Sequence, residues 1–164
     1  MPQYIEKIRV PVVVSRVGVP PVSGRLSVLP LAELHEGPET LLELLNGPAR
    51  VLPLELDGDE GVLLVARARI EWVEPGAGVD VRFVRPATWM ATREENVCIR
   101  LAGGEQLEGV LAMEMPHEFN RASDYLNTDE DFFPLRTDAG TRLIHKARVV
   151  DVLVRGVVAV PRVA

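Results

Sequence analysis

The sequence predicts an all-β protein made of two tandem, strongly bent small barrels, and three observations carry that prediction. First, the chain repeats itself. Val12 to Gly24 and Val97 to Gly109 align without a gap, Leu45-Asn46 matches Leu126-Asn127, and the spacing onward to Pro53-Leu54 equals that to Pro134-Leu135. The copies close with Ala68-Arg69-Ile70 and Ala147-Arg148-Val149. Second, each copy reads as about five short β-branched runs separated by Gly, Pro and Asp turns. Third, 164 residues accommodate two small domains, and a repeat sets the architecture before local propensity does. The copies are assigned as 1–86 and 97–164, related as a pseudo-twofold duplication, with 87–96 as the linker.

The elements follow in order. Val10 to Val17 is β-branched and interrupted by Pro11, which suits an edge strand or a strand start. Gly18 to Pro21 is a turn, and Val22 to Leu29 the next strand. Within Glu33 to Asn46, Leu34, Leu41, Leu42 and Leu45 recur at helical spacing, Pro38-Glu39 forms a first turn, and Asn46-Gly47-Pro48 is a stop. One short helix is expected there, in the first copy. Val51 to Leu56 is a strand, Asp57 to Gly61 a hairpin turn and Val62 to Val73 one long strand. Val79 to Val84 is a further strand. Trp89 and Met90 lie in the join and are expected to pack between the copies or onto a neighbouring subunit.

The second copy repeats this order. Val97 to Leu101 and Gln106 to Met115 are strands around the turn Ala102-Gly103-Gly104. Pro116 to Asn120 is a loop. Ser123 reads as the N-cap of a short turn through Asn127, which ends it in a left-handed conformation. Phe132 to Arg136 is a strand, Thr141 to Val154 a long strand, and Gly156 to Val163 the last.

Charge and composition narrow the function classes. A net charge of −6 argues against broad binding to nucleic acid or an anionic membrane. Lys7 and Lys146 are the only lysines, and an arginine-dominated, Val-, Ala-, Gly- and Pro-rich composition fits a high-GC bacterial genome. Cys98 stands alone in an apolar strand and reads as a small buried hydrophobe. No secretory leader and no apolar run of membrane-spanning length is seen, so the expectation is a soluble, cytoplasmic protein.

No catalytic constellation emerges. His35, His117 and His145 have no ligand spacing, so no metal or other cofactor is expected. Ser123 and Asp124 are adjacent and cannot hold one imidazole between them in triad order. The glycine pairs lack the lysine and helix of a phosphate loop. The best binding candidate is the segment Arg121, Ser123, Asp124, Tyr125 and Asn127, which offers donors, an acceptor and an aromatic face within one turn. Against it stands a purely structural role, with Ser123 capping and Leu126 plugging the core.

Two resemblances bear on this. Val97-x-Ile99-x-Leu101, a glycine turn, Leu107 and Gly109, then Ile144 to Val150, are similar to the two signatures of the Sm-like barrel of bacterial RNA chaperones. That likeness implies Sm-like or SH3-like barrels, self-association into rings through strand edges, and a strand that turns through one helical residue into the last. The family places Lys before His; here His145 precedes Lys146. Arg121-x-Ser123-Asp124-Tyr125-Leu126-Asn127, with Phe132-Phe133-x-Leu135 and Ile144-x-Lys146, resembles a recurrent bacterial domain of unknown function, which implies no activity. The expected function is therefore a non-enzymatic interaction or scaffold module. It would bind a protein partner through barrel edges and the 121–127 loop, with His145 and Lys146 as further contacts, and would self-associate as a homo-oligomer. The alternative is an Sm-like RNA binder using Tyr125, His145, Lys146 and Arg148, disfavoured by the acidic balance.

Overall fold

The computed structural model describes residues 6–86, 88–114 and 121–158, and the chain forms two compact units, Met1–Thr88 and Trp89–Ala164. Among the described residues both are all-β with one very short α-helix each. In the first, β1 (Ile8–Arg16), β2 (Val19–Val28), helix α1 (Leu41–Leu45), β3 (Val51–Leu56), β4 (Val62–Ala66) and β5 (Ile70–Pro75) follow in sequence. Their antiparallel order is β5-β1-β2-β3-β4. In the second, β6 (Arg93–Leu101), β7 (Gln106–Met113), α2 (Ala122–Leu126), β8 (Phe132–Thr137), β9 (Gly140–His145) and β10 (Val149–Val158) take the order β10-β6-β7-β8-β9. Both units thus place their fifth strand beside their first. Arg93 to Asn96, read from sequence as part of the join, are the opening residues of β6.

Alternation sets the cores. β1 turns Val10, Val12 and Val14 inward, β6 does the same with Val97, Ile99 and Leu101, and each set is almost fully buried. β8 departs from alternation, with Phe132, Phe133, Pro134 and Leu135 all buried, as a strand covered on both faces requires.

The second strand of each unit serves both neighbours by bending at a glycine. Gly24 is opposite Val12 on β1 and Leu56 on β3. A Cβ there would lie 2.5 Å from the Glu55 carbonyl oxygen and 2.9 Å from Leu54 Cγ. Gly109 meets the same obstruction from the Arg136 carbonyl oxygen and Leu135. Only glycine permits this approach.

Several expectations are corrected. β1 is an inner strand, paired with β2 and β5. Pro11 is tolerated because its carbonyl accepts from Gly76 N–H (2.8 Å) on the β5 side, beyond the first ladder pair, Val12 with Pro75. Its missing N–H therefore interrupts no ladder bond. Val62 to Val73 is not one strand: a 3₁₀ turn at Arg67–Arg69 separates β4 from β5, and one at Lys146–Arg148 separates β9 from β10. These turns swing the chain across so that the last strand joins the first strand's edge. Neither unit's strand order closes on itself among the described residues: where small barrels were expected, the strand pairing is that of an open sheet. Val79 to Val84 holds a 3₁₀ turn, Val81–Phe83, capped by Asp80, whose carboxylate accepts from Arg82 N–H at 2.9 Å. Gly156 to Val158 continue β10 and do not start a new strand; the rest of that predicted strand, like the loop Pro116 to Asn120, lies outside the described residues.

The helix in the first unit is shorter than its leucine spacing implies, because Thr40 starts it late. Thr40 Oγ1 accepts from Glu43 N–H (3.1 Å), while the Glu43 carboxylate accepts from Thr40 N–H (3.0 Å), a complete capping box. Leu34 is left 91% exposed, outside the helix. The turn expected from Ser123 to Asn127 forms as a second short helix, α2. Its N-cap is Arg121, not Ser123, and Asn127 ends it at φ −89°, not in the left-handed region.

Candidate functional site

The 121–127 segment is a single helical turn held by the core at one end and by a lysine at the other. Its first N–H, on Ala122, donates to Glu95 Oε2 at 3.1 Å, and the other oxygen of that carboxylate accepts from Arg93 Nε at 2.9 Å. Glu95 is only 4% exposed. It occupies the inward register of β6 with Val97 and Ile99, so a buried carboxylate from a strand does the capping that Thr40 does locally in α1. At the far end, Thr128 Oγ1 donates to the Tyr125 carbonyl (2.8 Å), and Lys146 Nζ donates to both Thr128 O and Oγ1 at 3.0 Å. Burial lowers the Lys146 pKa below the ordinary lysine value, against the opposing pull of Glu130, Asp131 and Asp129.

The residues singled out from sequence therefore fall into separate settings. Arg121, Ser123 and Asn127 are exposed, while Asp124 and Tyr125 are half-buried. Lys146 is drawn into the neighbourhood of the helix through Thr128. His145 is not: it is buried, and its ring stacks on Phe132 with centroids 4.5 Å apart and planes at 11°. Leu126 is half-buried. Trp89 is half-buried and Met90 66% exposed.

Two features escaped the sequence reading. An open groove of about 580 Å³ lies beside the Gly109 bend, lined by Asn96, Glu108, Arg136, Asp138 and Arg155 among others. Its arginines are matched to carboxylates: Arg136 grips Glu94 with two bonds of 3.1 Å, and Arg155 reaches Glu108 at 3.2 Å. The second feature is strand β10. It pairs only with β6 among the described residues, and Val150, Leu153, Val154 and Val157 are 49–60% exposed along it. At the corresponding extreme of the first unit, β4 pairs only with β3 and exposes Val62 and Leu64.

The chain matches no family model, no curated protein and no solved structure. Its function must be argued from these features. Among the described residues no three His, Cys, Asp or Glu side chains gather as metal ligands, and no helix is long and apolar enough to cross a membrane. Cys98 is a half-buried free thiol on β6, opposite Leu153. His35 Nε2 meets Glu43 Oε1 at 2.6 Å on the capping box of α1, where the pair fastens the 29–40 loop to the helix.

Proposed function

We propose that the chain is a non-enzymatic interaction module, two Sm-like small barrels born of a duplication, which binds a protein partner through its strand edges and the 121–127 loop. The observation that carries this reading is β10: ten residues whose second edge has no partner strand among the described residues, with four large aliphatic side chains exposed. An edge of that length is ordinarily covered or defended by charge. An extended partner strand satisfies its backbone groups and covers its valines together.

The duplication is supported by more than strand order. α1 and α2 are both five residues, β3 and β8 both six, and the 3₁₀ turns before β5 and β10 both three. A salt bridge recurs with its signs reversed: Arg9 on β1 meets Glu55 on β3 at 3.2 Å, while Glu94 on β6 meets Arg136 on β8. Those positions correspond between the copies, and conserving the pair while exchanging its charges is what two diverging copies of one scaffold can do.

The test is affinity capture with the full chain and with the L153K/V157K variant, which places charge on the edge without touching the core. One discrete protein recovered by the wild type and lost by the variant supports the reading. Failure to recover any partner, with single-stranded RNA binding that weakens steeply as salt rises, replaces it with the RNA-binding alternative.

A further inference from the structure

Apart from its third neighbours, Val150 and Gly156, the sequence of β10 is mirrored about Leu153 with the charge changing sign. Counting outward from Leu153, the first neighbours are Val152 and Val154, the second are Asp151 and Arg155, and the fourth are Val149 and Val157. Asp151, Leu153 and Arg155 also share one face of the sheet. Asp151 is opposite Arg100 and Leu153 opposite Cys98 on β6, Cys98 is opposite Glu108 on β7, and Arg155 reaches Glu108. Arg155 is the extra residue at the register shift between Val154 and Gly156, and its ion pair with Glu108 puts its charge on that face.

We propose that the occupant of this edge is β10 of a second copy, the two strands running antiparallel about a two-fold axis at Leu153. This rests on the strand-addition reading and gives that edge its partner. In this register Leu153 packs against its own counterpart, and Asp151 of each chain lies opposite Arg155 of the other. Val152 lies opposite Val154 on the other face, and Val149 opposite Val157. Aliphatic and opposite-charge cross-strand pairs are both stabilising, and each occurs twice by symmetry. No other two-fold register sets Asp151 opposite Arg155, and a register centred on either residue sets like charges face to face. The strand therefore specifies one alignment.

The existing ion pairs are compatible with this arrangement. Arg155 to Glu108, and Asp151 to Arg100 at 4.0 Å, are solvent-exposed pairs whose side chains are 54–72% accessible. Across the two-fold they become a row of alternating sign: Arg100 and Asp151 of one chain, then Arg155 and Glu108 of the other. The aliphatic residues supply contact, and the charges supply the register.

The experiment is sedimentation equilibrium on the full chain and on D151R, R155D and the double variant D151R/R155D, with circular dichroism to confirm folding. The wild type is expected at twice the chain mass. Each single reversal sets like charges opposite twice and raises the dimer dissociation constant by at least about tenfold. The double variant regains only part of the lost affinity: the cross-chain pairs return, but D151R/R155D sets like charges beside Arg100 and Glu108 within each chain. An equimolar mixture of D151R and R155D forms a heterodimer, because two arginines then face two aspartates. A wild type that stays at single-chain mass overturns the proposal, as does a dimer indifferent to the reversals or single variants that fail to recover on mixing. A monomeric wild type that still captures a partner lost by L153K/V157K removes only the second copy. A monomer that captures nothing removes the edge reading with it.

Discussion

Replacing Gly24 with alanine tests the bend on which the first unit depends. The added Cβ would fall 2.5 Å from the Glu55 carbonyl oxygen, about 0.9 Å short of the 3.4 Å at which ordinary contact begins, and would also press on Leu54 Cγ. The obstacle is backbone, so no rotamer change relieves it; β3 must retreat. The β2–β3 ladder consists of three residue pairs, Gly24 with Leu56, Arg25 with Glu55 and Leu26 with Leu54, and the shift strains all of them. The Arg25–Glu55 ion pair at 2.5 Å spans the same gap. Overpacking of this kind costs about 1–3 kcal/mol, and a backbone obstacle places Gly24→Ala near the top of that range. At roughly 4–8 °C per kcal/mol for a domain of this size, the melting temperature of the unit falls by roughly 12–24 °C. The control is Gly18→Ala, at φ +78° with nothing within 4 Å of the new methyl. It bears only the left-handed backbone cost of about 1–2 kcal/mol. Thermal melts and urea titrations of both variants decide the matter. If Gly24→Ala loses no more than Gly18→Ala, close approach is not what demands glycine, and the argument fails for Gly109 as well.

Two further outcomes follow from named contacts. Glu95→Ala removes a buried carboxylate that accepts from Ala122 N–H and Arg93 Nε; it is expected to cost about 1.5–3 kcal/mol and to speed amide exchange in α2, whereas exchange in α1 stays unchanged. For His35, the Glu36 carbonyl and then the Glu43 carboxylate raise its pKa; for Glu43, burial opposes ionisation, but the bonds from His35 and Thr40 outweigh it and lower the pKa. The His35 contribution is complete below the unfolded histidine value and is lost as pH rises through the raised folded value. The Glu43 contribution is present above its unfolded value and is lost as pH falls through the lowered one. Amide exchange in the 29–40 loop should therefore be slowest in the mildly acidic window between them. Corrected for intrinsic exchange, His35→Gln should flatten the neutral-to-alkaline limb, and an unchanged limb would refute the clip.

The β-branched runs of the strands and the turn chemistry of Asp57-Gly58 were legible in the sequence, because each follows from local sterics that any fold must respect; that Gly24 and Gly109 must be glycine is decided by the Glu55 and Arg136 carbonyls on the next strand. Also legible were β3 in its full bounds and the all-β class. The breaks at Arg67–Arg69 and Lys146–Arg148 were missed by direct reading, since those residues interrupt no propensity. They are decided by distant partners: Arg67 N–H donates to Arg50 O at 2.9 Å, and Ala102 N–H to Arg148 O at 2.8 Å. The same holds for the candidate site. The sequence brought Arg121, Ser123, Asp124, Tyr125 and Asn127 into one turn because they are neighbours along the chain. Only tertiary structure could put His145 against Phe132, tie Lys146 to Thr128 and bring Glu95 to the start of α2. Local chemistry determines which conformations a segment tolerates; which side chains are buried or meet depends on strand register across dozens of residues, and on which edge, like that of β10 among the described residues, is left without a neighbour.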